Sequence, residues 1–220
     1  MAGVELDHLV VAARTLDEAA AWCKATFGIA PGGGGRHALM GTHNRVLPLA
    51  VAGDAPAYLE LIAIDPEAPP PARARWFDLD ASAMQQALAD GPRLVHWVAR
   101  CAAIDATGQR LRDAGAEVGE LVAIERASPA GVLRWRISLR SDGERLAGGA
   151  LPALIEWQGP HPVDAMAPPQ LTLVALHAAL DDATRAALAP RGVERASDGT
   201  PLRAVIDSPR GRVVLDAPRL

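Results

Sequence analysis

The sequence predicts an α+β fold built from two consecutive β-α-β-β-β units and a partial third β-α-β-β unit. Three observations lead there. The order strand, helix, strand, strand, strand is read twice along the chain. Each copy carries a histidine in its first strand and a glutamate in its last, His8 with Glu60 and His96 with Glu156. A shorter strand-helix-strand-strand pattern follows a Pro-rich stretch.

VELDHLVVA (4–12) reads as a strand. A helix then starts at Thr15, sets Leu16, Ala19, Ala20, Cys23 and Phe27 on one face, and stops at Gly28. The run Gly32 to Gly35 lacks the lysine and the strand-to-helix setting of a phosphate loop and reads as a flexible rim. HALMG, RVLPLAVA and YLELIAI follow as three strands. Asp65-Pro66 and Pro69 to Pro71 break the chain, and a short amphipathic piece around Asp80 to Leu88 leads onward.

The second copy opens with the strand RLVHWVAR (93–100). Its helix spans Ala103 to Ala114, with Ile104, Thr107, Leu111 and Ala114 at helical spacing, and ELVAIERA, VLRWRISLR and PALIEWQ supply its strands. The two histidines are 96 − 8 = 88 residues apart and the two glutamates 156 − 60 = 96, so an insertion around Ser141 to Ala150 is expected. Beyond the link Gly159 to Pro169 come QLTLVALHA, a helix in DDATRAALAPRG with Asp181 or Asp182 as N-cap, and PLRAVIDS and GRVVLDA around a Pro209-Arg210-Gly211 turn. Leu215-Asp216 stands where a third glutamate would fall, so this piece completes no metal site of its own. The expected units are 1–66, a linker with a short helix over 67–91, 92–160, and 161–220 packed on the sheet.

Composition narrows the function. Half the residues are hydrophobic and the net charge is −4, spread along the chain, which disfavours nucleic acid and a polybasic membrane patch. Lys24 is the lone lysine, an imbalance that fits GC-rich codon usage. No apolar stretch approaches the roughly 20 residues of a membrane span, and no secretion signal opens the chain, so a cytoplasmic location is expected. Cys23 and Cys101, far apart and outside any CxxC, read as packing residues.

An ionisable side chain inside an apolar strand faces solvent or a cavity, and a buried carboxylate needs a cation or strong donors. Four such groups at repeated positions, His8, Glu60, His96 and Glu156, suggest a divalent metal: Zn, Ni, Co, Fe or Mn. By strand alternation Glu60 shares a face with Tyr58 and Ile62, while Trp97 and Trp157 lie opposite their neighbouring ligands, toward the helices. His37 and His43 read as surface or turn histidines beside the turn residue Asn44, and a contact of one of these three to a substrate oxygen is implied only by the resemblance that follows. Arg134 and Arg136 share one face of their strand and Trp135 takes the other: inward arginines would favour an anionic substrate, an inward tryptophan an apolar one. Arg36 and Arg126 pose the same question. His161 and His177 read as surface or linker residues.

LDHLVVA, RHALMGTHN, YLELIAIDP, LVHWVAR, ALIEWQGPHP and SPRGRVVL resemble the glyoxalase-like subgroup of the vicinal oxygen chelate superfamily, which includes glyoxalase I, bleomycin-resistance proteins and extradiol dioxygenases. The resemblance runs from about Glu5 to Leu215. It implies a curved mixed sheet around a cleft, with His8, Glu60, His96 and Glu156 as metal ligands, and a lyase or isomerase acting on a small oxygenated substrate through a metal-stabilised enediolate. Glu60 or Glu156 would be the catalytic base. The alternative is a binding protein that sequesters a small molecule in the same cleft without metal. A small-molecule partner is expected in either case, and the choice between monomer and homodimer stays open.

Overall fold

The computed structural model describes residues 3–53, 57–128 and 131–220. The first unit is β1 (Glu5–Ala12), α1 (Leu16–Phe27), β2 (Gly34–His37), β3 (Thr42–Val51) and β4 (Ala57–Ile64). A linker carries α2 (Ser82–Ala89). The second unit is β5 (Arg93–Arg100), α3 (Ile104–Asp113), β6 (Glu120–Ser128), β7 (Gly131–Leu139) and β8 (Ala153–Trp157). The final piece is β9 (Leu171–Ala178), α4 (Asp182–Leu188), β10 (Val193–Arg195), β11 (Leu202–Ser208) and β12 (Gly211–Asp216). The α+β fold with two β-α-β-β-β units is therefore present.

All the described strands join one mixed sheet in the order β12-β11-β9-β3-β4-β1-β5-β8-β7-β6, with β2 beside β3 and β10 beside β9. In each tandem unit the first strand pairs parallel with the last, β1 with β4 and β5 with β8. The two units meet through antiparallel β1 and β5, where His8 faces Val98 and Val10 faces His96, a register unchanged when the units are exchanged. The third piece departs from this plan: β9 pairs antiparallel with β11, and its short β10 was not expected.

The central strands are buried on both faces, which their near-continuous apolar sequences encode. Leu9, Val11, Leu59, Leu61 and Trp97 pack toward the helices with Phe27 and Ile104, joined there by Leu171, Leu176, Leu202 and Ile206 of the last piece. Val10, Ala12, Ile62, Val98 and Ile155 form a second core on the cleft side. Each buried Val, Leu, Ile or Phe among them contributes about 1.5–3 kcal/mol. At its N-terminus α1 is capped by Thr15, whose oxygen accepts from the Glu18 N–H at 3.1 Å, and α4 is capped by Asp181.

Of the predicted strand HALMG only His37 lies in a strand, and the rest is a turn. The strand lies earlier, inside the glycine run, because Gly34 and Gly35 pair with Arg45 and Asn44 while the Met40 N–H closes back on the His37 carbonyl. The linker also enters the cleft. Phe77 and Asp78 both have left-handed backbones, φ 61° and 59°, a conformation that costs roughly 1–2 kcal/mol per residue. Buried Arg145 holds them there, donating to Asp78 at 2.6 Å through Nε and to the Val95 carbonyl at 3.0 Å through Nη1.

Arg145→Met keeps the apolar stem and removes these bonds, leaving Asp78 without its counter-charge. We expect a loss of about 3–5 kcal/mol, the range for breaking a buried pair from one side, measured by urea unfolding. A loss under about 1 kcal/mol would mean that the linker is held by Trp76, Phe77 and Leu79 alone.

Candidate active site

On β1 the register passes from Leu6–Ala99 directly to His8–Val98, so Asp7 is an extra residue without a partner on β5. This β-bulge re-aims a side chain that strict alternation would send toward the helices. Asp7 and His8 meet instead: His8 Nδ1 donates to Asp7 Oδ1 at 2.7 Å. Asp7 Oδ2 accepts from Trp157 Nε1 at 2.9 Å and His161 Nε2 at 3.1 Å. Burial alone would raise the Asp7 pKa; hydrogen bonds and charge from His161 and His8 overcome it, and the carboxyl sits well below its usual range. With Nδ1 committed, the His8 Nε2 atom points to Glu60 Oε2, 3.7 Å away. Tyr58 stacks on the His8 ring at 4.4 Å.

Glu60 is fixed from β3. Asn44 Nδ2 donates to Glu60 Oε1 at 2.5 Å, and the amide orientation follows from the Gly35 N–H, which donates to Asn44 Oδ1 at 2.7 Å. His37 lies beside them, its Nε2 3.4 Å from Asn44 Nδ2 and its Nδ1 3.1 Å from Thr42 Oγ1. Burial, partly opposed by Glu60 and reinforced by Arg126, His8 and His43, pushes the His37 pKa from 6.5 down to about 4. His37 is thus neutral at neutral pH, and the Asn44 donor facing Nε2 puts its proton on Nδ1.

The second half-site is different. Val10 pairs with Glu60, but Val98, which takes the place of Val10, pairs with Ala153. Ala153 therefore occupies the position of Glu60. Glu156 lies three residues further on, and an odd offset reverses the face of a strand. It turns to the helices, accepting from the Ile104 N–H at the start of α3 at 3.1 Å and pairing with Arg136 at 3.3 Å. Trp157 takes the cleft face, the reverse of expectation, whereas Trp97 is buried toward the helices as expected. His96 Nε2 accepts the Ala153 N–H at 3.0 Å, and its Nδ1 is buried without a hydrogen-bond partner among the described residues. Burial first, then the charges of Arg145 and His8, lower its pKa to about 3. Phe77 packs against His96, 4.9 Å between ring centres, and also lines the pocket of His8.

The four expected metal ligands are thus not brought together. His8 and Glu60 meet, the His96 Nε2 lone pair is used by a backbone amide, and Glu156 is on the other face. Among the described residues no three His, Cys, Asp or Glu side chains are arranged to hold a metal ion. The donor set does not fit the four-ligand centre.

Of the expected substrate contacts, His37, Asn44 and Trp135 line a narrow pocket of about 50 Å³ with His8, Tyr58 and Glu60. His43 lies outside, 3.9 Å from Asp65. Arg134 pairs with Glu125 at the surface, and Arg136 with Asp105 and Glu156. The tryptophan, not the arginine pair, faces the cleft. Arg126 of β6 also reaches the pocket, its Nη1 3.4 Å from Asn44 Oδ1, which shows how far the sheet curls. Asp7 and His161 had no periodic signal: the bulge is invisible to alternation, and His161 is brought in by the loop after β8.

The glyoxalase-like domain profile matches residues 6–193. The chain belongs to the glyoxalase-like domain family. No curated protein matches this glyoxalase-like chain. Among solved structures, a hypothetical protein from Staphylococcus aureus is 16% identical, with 79% of this chain and 69% of that one covered and a TM-score of 0.55. A methylmalonyl-CoA epimerase variant from Streptomyces coelicolor, in complex with 2-nitronate-propionyl-CoA, is 21% identical over 72% of this chain and 100% of its own, TM-score 0.45. The first likeness supports the shared fold and nothing finer. No described helix is long and apolar enough to cross a membrane.

The neutral burial of His37 and His96 makes stability depend on pH. The unfolded chain takes up protons below pH 6.5, which the native imidazoles resist until about 4 and 3, so stability is full above 6.5 and falls as pH drops. Asp7 does not oppose this, since its contribution is lost only below the ordinary carboxyl value of 3.8. His96→Gln keeps an acceptor for Ala153 and should remove roughly half of the loss between pH 6.5 and 4 in urea titrations. An unchanged slope would mean that His96 titrates normally.

Proposed function

We propose that this glyoxalase-like chain is an isomerase or lyase that moves protons on an α-hydroxycarbonyl group, with Glu60 and the Asp7-held His8 as its acid-base pair. The approach of His8 Nε2 to Glu60 Oε2, 3.7 Å apart in the lining of one pocket, carries this reading. The gap is too long for a hydrogen bond and leaves both atoms facing a substrate. Asn44 anchors Glu60 by one oxygen and leaves the other for chemistry.

Glu60 Oε2 takes the proton from the hydroxyl-bearing carbon, and the bonding pair stays on the substrate as an enediolate. His8 Nε2 takes the hydroxyl proton, and the buried Asp7 carboxylate compensates the imidazolium that forms. Return of the carbon-bound proton to the neighbouring carbon and of the other to the former carbonyl oxygen completes an isomerisation. Loss of a leaving group from the enediolate instead gives a lyase. Non-catalytic binding in the cleft is the competing reading, favoured by the apolar groove that adjoins the pocket.

The test is deuterium incorporation from solvent into a panel of α-hydroxyketones and aldehydes, followed by NMR. The wild type should exchange the carbon-bound proton, and Glu60→Gln should slow exchange at least about a hundredfold, the low end for losing a general base. Glu156→Gln should leave exchange unchanged, because Glu156 faces α3. Metal content should stay far below one ion per chain in protein prepared without chelator or tag metal. Wild-type exchange in Glu60→Gln, or its absence with every substrate, would overturn the proposal; a stoichiometric metal lost in Glu156→Gln would restore the four-ligand centre.

A further inference from the structure

Beside the narrow pocket runs a groove of about 720 Å³, within the size range of sites that bury a drug-sized ligand. Pocket and groove share Val46, Arg126 and Pro162, so they adjoin along these residues. The groove walls are mostly apolar: Ile29, Leu47, Pro48 and Leu133 on the sheet side, Met166 and Pro168 on the loop side. The pocket end is polar and holds His8 and Glu60.

Arg126 stands at the junction. Its Nε is buried without a hydrogen-bond partner among the described residues, and Nη1 reaches Asn44 Oδ1 only at 3.4 Å. A guanidinium carries five donors, so most of this one is uncommitted. Room for it comes from Gly35, where a Cβ would lie 1.8 Å from Nη1. Arg126 and Glu60 contact opposite ends of the Asn44 carboxamide, which places the guanidinium one side chain away from the acid-base pair. The other ionisable groups on the groove, His161 and Asp164, are engaged with Asp7 and the His161 N–H.

We infer that the substrate is an amphipathic carboxylate: an anionic head bound by Arg126 at the junction, with an apolar chain lying along the groove. The inference rests on the acid-base reading of the site, since it names the substrate class for that pocket. An uncommitted guanidinium at one end of an apolar trough matches a carboxylate bidentately and an alkyl chain by burial. A short polar sugar would leave the trough unfilled, and a neutral hydrocarbon would leave Arg126 without a partner.

Binding is measured with decanoate, decan-1-ol and acetate, using the fluorescence of Trp76, Trp135 and Trp157, which line the pocket. Decanoate should bind about tenfold or more tighter than decan-1-ol, the factor expected for one charge-assisted contact. Acetate should bind far more weakly than decanoate. Arg126→Gln should abolish the preference for decanoate over decan-1-ol. Gly33 lines the groove and a Cβ there meets no atom within 4 Å, so the side chain of Gly33→Trp starts without a clash and should weaken decanoate about tenfold by filling the groove. Circular dichroism checks that both variants fold. Equal affinity for acid and alcohol, an Arg126→Gln variant that keeps the preference, or no decanoate binding overturns the inference. These outcomes are separable from the acid-base reading, because Glu60→Gln tests turnover and these probes report binding alone.

Discussion

The hydrogen bond between Asp7 and His8 depends on one extra residue in β1. Adjacent strand residues point to opposite faces, so a carboxylate next in sequence to a cleft histidine belongs on the helix side, unpaired in an apolar core. The bulge between Leu6 and His8 brings Asp7 to the cleft, where three N–H donors satisfy it. Those donors come from β1, from β8 and from the loop beyond it, so this buried carboxylate also ties the second unit to the first. The orientation of His8, and with it the separation from Glu60, follows.

The tandem units share a backbone plan and have unlike chemistry. A matching bulge occurs on β5, where Val10 pairs with His96 and Val11 with Leu94, leaving Val95 as the extra residue. Asp7, His8 and Glu60 in one half thus correspond to Val95, His96 and Ala153 in the other. The second half carries the histidine and neither carboxylate, and Phe77 covers it. The strained Phe77-Asp78 backbone, clamped by Arg145, holds that cover in place. Polar chemistry is concentrated on one side of the cleft, and the apolar groove continues from there.

The fold was legible because apolar alternation and turn residues mark nearly every strand, and the two histidines flagged equivalent first strands. Glu60 was legible too, since Tyr58, Glu60 and Ile62 share the cleft face as alternation requires. Glu156 misled for a physical reason: the apolar run ALIEW has the same look in either register, and the pairing of Val98 with Ala153 is decided by tertiary structure. Trp157 misled with it. The glycine run, which read as a loose rim, is partly strand and makes room for Arg126. Arg126 itself looks like any surface arginine in an alternating strand until the sheet curls it over Asn44.

The central claim is that Asp7 orients His8 so that Nε2 faces Glu60. Long-range ¹H–¹⁵N spectra of protein labelled in its imidazole rings report which nitrogen carries the proton. The account predicts that neutral His8 is protonated at Nδ1 with Nε2 bare, and that Asp7→Asn disturbs this tautomer while leaving His96 with its proton on Nδ1 as well. Neutral His8 protonated at Nε2, or a spectrum indifferent to Asp7→Asn, would contradict it.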